Sequence, residues 1–153
     1  MKRFGSALAF ILLLASCGYF AKDIHLKREV AAKEVIGVWR LRDESLSMAR
    51  KDSIRPYSEQ PDRLHEIEIR VDGTCRFRSI TQMPTDYLDC EGTWQLAHAL
   101  NDKHVPQLDF TLKKGGGYGF SLDFTEEEGR LVLWEYWGDP DSWEFLKYDK
   151  KPN

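Results

Sequence analysis

The stretch Glu66-Ile67-Glu68-Ile69-Arg70-Val71-Asp72-Gly73-Thr74-Cys75-Arg76-Phe77-Arg78 alternates apolar and charged side chains on either side of Asp72-Gly73. Period-two alternation marks a strand with one buried face, and Asp-Gly is a strong hairpin signal. Ile67, Ile69, Cys75 and Phe77 then belong on one inward face. A two-residue loop would set Ile69 opposite Arg76 and break that face. A three-residue loop with Gly73 in the left-handed region sets Ile69 opposite Cys75 and Ile67 opposite Phe77. Outside, it pairs Glu68 with Arg76 and Glu66 with Arg78, opposite charges worth roughly a few tenths of a kcal/mol per pair.

The same period continues in both directions. It predicts strands over 35–42, 64–71, 74–81, 87–96, 106–113, 118–124, 130–137 and 142–148. Turn signals separate most of them: Met83-Pro84, Lys113 to Gly117, Glu126 to Gly129, and Gly138-Asp139-Pro140-Asp141. Setting Cys75 opposite Cys90 places Phe77 opposite Leu88 and Arg76 opposite Asp89. Leu108, Phe110 and Leu112 can face Leu122, Phe120 and Tyr118 across the glycine loop. The expected fold is all-β: an eight-stranded antiparallel up-and-down barrel spanning 35–150. A polar stretch, 43–63, joins its first two strands. From Lys22 to Lys33 the pattern reads as a short helix, with Ile24, Val30 and Ala31 as its apolar stripe.

The first residues say where such a barrel works. Lys2 and Arg3 precede an apolar run from Ala7 to Ala15, which ends in Leu14-Ala15-Ser16-Cys17. The run is too short to span a bilayer and fits the h-region of a signal peptide. Leu14-Ala15-Ser16-Cys17 resembles the lipobox of bacterial lipoproteins. That resemblance implies cleavage after residue 16 and a diacylglyceryl group on Cys17, enough acyl chain for stable anchoring. Residues 17–34 become a lipidated tether. Gly18, where inner-membrane lipoproteins typically carry Asp, implies the outer membrane, facing the periplasm, in a cell with two membranes.

Cleavage leaves 137 residues, one domain with room for a core, carrying 20 basic against 25 acidic side chains. No basic stripe is present, so a nucleic-acid partner is not expected. Cys75 and Cys90 remain as an even pair in an oxidising compartment and predict a disulfide. Its loop of about 15 residues would be worth roughly 3 kcal/mol.

Gly37-Val38-Trp39-Arg40-Leu41 and Gly92-Thr93-Trp94-Gln95-Leu96 repeat a G-x-W-x-L pattern. A G-x-W on the first strand, a long connection and a run of short antiparallel strands resemble the lipocalin-like barrels. In those the Trp closes one end and the first long loop can lie over the open mouth. The resemblance covers roughly 35–148 and implies binding rather than catalysis.

An eight-stranded interior holds side chains or one small ligand. Trp39, Phe77, Trp94, Phe110, Tyr118, Phe120, Phe124, Trp143 and Phe145 form the expected inward set, bulky enough to fill most of it. A ligand, small and apolar or amphipathic, would sit toward the mouth. Trp39, Met48, Ile54 and Tyr57 are its candidate contacts; the last three either form a lid or simply seat the loop. A second class of function is open, a protein-binding inhibitor or immunity-type lipoprotein. Leu131 to Trp137 is apolar on both faces. Trp134 and Tyr136 on its outer side are either covered by the N-terminal helix or exposed to a partner. His98, Asp102 and His104 match no closed metal spacing, and solvated loop histidines are the commoner case. No catalytic constellation can be assembled, and no metal or cofactor is expected.

Overall fold

The computed structural model describes residues 24–51, 65–78, 89–113, 117, 119–137 and 144–152, with the backbone alone for 49–51. A short helix α1 (Ala32–Val35) leads into β1 (Gly37–Leu41) and a second helix α2 (Asp43–Lys51). The remaining strands are β2 (Glu66–Ile69), β3 (Thr74–Arg78), β4 (Asp89–Ala99), β5 (Asp102–Leu112), β6 (Gly119–Glu127), β7 (Arg130–Tyr136) and β8 (Phe145–Lys150). They pair in chain order, antiparallel throughout, and β8 returns to β1 to close the barrel.

The hairpin register deduced above is the one adopted. Ile69 faces Cys75, Ile67 faces Phe77, Glu68 faces Arg76 and Glu66 faces Arg78. Gly73 sits at φ +81°, and Asp72 accepts from the Thr74 N–H and hydroxyl at 2.9 and 2.6 Å. Leu108 faces Leu122 and Phe110 faces Phe120, also as expected. The interior is filled by Trp39, Ile67, Ile69, Phe77, Leu108, Phe110, Leu112, Leu122, Phe124 and Tyr148, all fully or almost fully buried.

Four expectations are corrected. Between β3 and β4 the register lies two residues away: Cys75 faces Gly92 and Phe77 faces Cys90. This sets Arg76 opposite Glu91 and Arg78 opposite Asp89, two opposite-charge pairs where the expected register formed one. Phe145 points outward, because Leu146 and Tyr148 take the buried phase of β8. The 98–104 segment is the end of a long β4–β5 hairpin turning at Leu100–Asn101, with a register irregularity at His98/Ala99. Helix does not form over the stretch expected for it. Residues 24–31 are non-helical, and only Ala32–Val35 coil, while Asp43–Lys51, read as part of a polar connection, is helical. Asp43 and Glu44 favour that helix by lying at its positive end.

The N-terminal residues instead form a strap along β6, beyond the point where β5 stops pairing with it. The Leu26 N–H donates to the Phe124 carbonyl at 2.8 Å, and Arg28 Nε to Glu126 at 3.1 Å. A backbone bond to an open strand edge outweighs a weakly amphipathic helix. The strap then crosses one end of the barrel, where Val30 and Val35 join the core. Tyr118, Trp143 and Leu88 lie outside the described residues.

Candidate ligand site at the barrel mouth

The two barrel ends are built differently. At the end reached by the strap, Val35 is fully buried and its carbonyl accepts from the Trp39 indole N–H at 2.7 Å. Lys150 Nζ donates to the Glu34 carbonyl at 2.8 Å. Glu34 accepts from the Ala31 N–H at 2.8 Å and meets Arg28 at 2.9 Å, so α1 is tied down at its start. The strap is thus tied across that end, where Trp39 is fully buried. Trp39, one of the candidate ligand contacts, gives its indole N–H to this end, away from Met48.

Partly buried apolar side chains rim both ends: Trp94, Leu96 and Leu131 at the strap end, and Phe120, Cys90, Leu46 and Met48 at the other. Phe120 is half-buried and stacks on Phe110 at 5.0 Å, with Phe77 at 5.5 Å. Phe77 meets Phe110 edge-on at 5.1 Å. Cys90 on β4 and Leu46 and Met48 on α2, also partly buried, pack against the same core from this end. Ser45 seats α2 by donating to the Phe145 carbonyl at 3.1 Å and accepting from the Lys147 N–H at 3.0 Å.

Two polar side chains share the inward phase here. His65 stands two residues before Ile67 and is buried; Glu135 stands two after Leu133, with one carboxyl oxygen buried. An apolar floor and rim with a few inward polar groups is the usual composition of a small-molecule site. Neither residue was picked out from sequence. The signal was present: both keep the phase of an otherwise apolar inward row.

Met48 is thus at the mouth, while Ile54, Tyr57 and Cys17 lie outside the described residues. Cys75 is buried and Cys90 half-buried; both face inward and are not bridged to each other. Burial, and secondarily Cys90, pushes the Cys75 thiol up to about 12. Trp134 does not present an open surface: it is fully buried, with the His25 ring at 5.0 Å and Tyr136 and Phe145 edge-on at 5.2 and 5.3 Å. The strap, rather than a helix, brings His25 there. Tyr136 is half-buried. His98 meets Glu29 at 3.4 Å, whereas Asp102 accepts from the His104 N–H at 2.9 Å. Among the described residues no three metal-binding side chains cluster, and no helix is long and apolar enough to cross a membrane.

Outside the wall, a groove of about 1210 Å³ runs between α2 and the β6–β8 surface. Arg42 binds Asp149 through two bonds at 2.9 and 2.7 Å and Glu127 at 2.6 Å; Lys147 also reaches Glu127 at 2.6 Å. The Lys147 bond, with Arg42 adding, holds the Glu127 carboxyl below its ordinary range. Charges of both signs line this groove and largely satisfy one another.

Comparison with known protein families, with curated proteins and with solved structures finds no match for this chain.

Proposed function

We propose that this is a lipid-anchored cell-envelope lipoprotein whose barrel binds a small apolar or amphipathic ligand at its mouth, without catalysis. The observation that supports the binding reading is the composition of the end away from the strap. The strap, α1 and Trp39 lie across one end. The other leaves Phe120, Cys90, Leu46 and Met48 partly buried over a Phe77–Phe110 floor, with His65 and Glu135 facing inward. Aromatic rings would take the apolar part of the ligand, and the two polar groups its head. The anchor rests on Leu14-Ala15-Ser16-Cys17, and an outer-membrane, periplasm-facing location on Gly18.

Closure of a Cys75–Cys90 disulfide in that oxidising compartment belongs to the same proposal. As diagonal neighbours across β3 and β4 they stand roughly 7–8 Å apart, just beyond ordinary disulfide reach. A small slide of one strand against the other would bring them within it. The competing reading, capture of a protein partner by Trp134 and Tyr136, loses support because Trp134 is covered.

The test is titration of the full chain with a fluorescent amphiphile. Saturable binding that Phe120→Arg abolishes, with an unchanged far-UV spectrum, is expected. Binding that is absent, or indifferent to Phe120→Arg, would refute the mouth as the site. Replacing Cys17 by Ser should release the protein from the membrane fraction.

A further inference from the structure

We propose that the outer wall formed by β6, β7 and β8, carrying Tyr136 and Phe145, is the side of the barrel that rests on the lipid headgroup layer. The inference rests on the anchor reading above and adds an orientation to it.

The argument is one of reach. The strap is held to this wall: Leu26 bonds to Phe124, Arg28 to Glu126, and His25 stacks on Trp134. Val30 is then buried in the core, which fixes the strap's far end. Seven residue steps separate Ile24 from Cys17. Fully extended they span about 25 Å. An eight-stranded barrel with its side chains is itself roughly 25 Å across. Laying the opposite wall, β3 and β4, on the bilayer would need the tether to cross the whole barrel without slack. Laying β6–β8 on the bilayer needs only a small part of that length.

The exposed chemistry of the two walls agrees. On β7, Val132 and Trp134 point outward but are fully covered, so Tyr136 is the outward apolar side chain of that strand left partly open. Tyr136 and Phe145, half-buried with rings 5.2 Å apart, lie at its end, and the Lys147 ammonium stands 5.8 Å from the Phe145 ring. Aromatic rings with a polar tip beside a cation settle at headgroup depth. Over 74–78 and 89–95 the outward residues of β3 and β4 are Thr74, Arg76, Arg78, Asp89, Glu91, Thr93 and Gln95, with no Phe, Trp or Tyr among them. The bilayer surface, rather than a protein, is the occupant that the tether brings to this wall.

The test uses the acylated full chain in vesicles of phosphatidylethanolamine and phosphatidylglycerol doped with a headgroup-photoactivatable lipid. After illumination, labelled peptides are mapped by mass spectrometry. Peptides over 130–137 and 144–150 should carry several-fold more label than those over 74–78 and 89–95. Even labelling, or more on β3 and β4, of a chain whose Cys17 is acylated would overturn the orientation and leave the anchor standing. A chain with unmodified Cys17 that does not stay with the vesicles would overturn both.

Discussion

Trp39 and Trp94 each give an indole N–H to a backbone carbonyl, Val35 at 2.7 Å and Arg70 at 2.8 Å. Each follows a glycine by two residues, and each glycine admits a close neighbour. A Cβ on Gly37 would lie 2.7 Å from the Lys150 side chain, and one on Gly92 2.5 Å from the Thr111 carbonyl oxygen. The repeated G-x-W is therefore a packing device as much as a sequence resemblance. Trp39→Phe keeps an aromatic ring but leaves the buried Val35 carbonyl without its donor. It should cost about 1–3 kcal/mol, read as a lower urea midpoint. Gly92→Ala meets backbone that cannot swing aside, so it should lose roughly 1–3 kcal/mol by the same measurement. For the thiols, Cys75 is buried and its pKa raised to about 12, while Cys90 is half-buried. After reduction, iodoacetamide at mildly alkaline pH should label Cys90 well before Cys75, as peptide mass spectrometry would show.

Among the elements, the β2–β3 hairpin was fully legible, because alternation and a Gly at positive φ admit one register. The β3–β4 register was not. Met83-Pro84 marks a turn without fixing its length, and setting the cysteines opposite each other lies two residues from the true pairing. At the start of β8 the aromatic positions 143 and 145 mimic an inward phase that Leu146 and Tyr148 in fact hold. The strap was illegible for another reason: its partner strand, β6, lies far along the chain, and local pattern offers only helix propensity. Where α2 meets the barrel, Arg42, Glu127, Lys147 and Asp149 form an acid-sensitive joint. The Glu127 carboxyl is depressed in the folded chain, so its contribution is present above its ordinary 4.5 and lost as pH falls through the folded value. Acidification below that range should lower the melting temperature of the wild type more steeply than that of Glu127→Gln.

At the scale of the whole molecule, one closed barrel has a strap tied across one end and, at the other, a cluster of partly buried apolar side chains. The strand count, the closure and the filled interior were readable from sequence, since they follow from period and bulk. The difference between the ends was not, since it depends on where the strap crosses and on two inward polar residues, His65 and Glu135, within apolar rows. The central claim is that the mouth of this lipid-anchored barrel holds a small ligand. Native mass spectrometry of the protein extracted from its own membrane tests it most directly. The account predicts an acylated chain carrying additional small-molecule mass that leaves on denaturation and is missing from Phe120→Arg. A chain bare of any such mass, or one that keeps it in Phe120→Arg, would contradict the account.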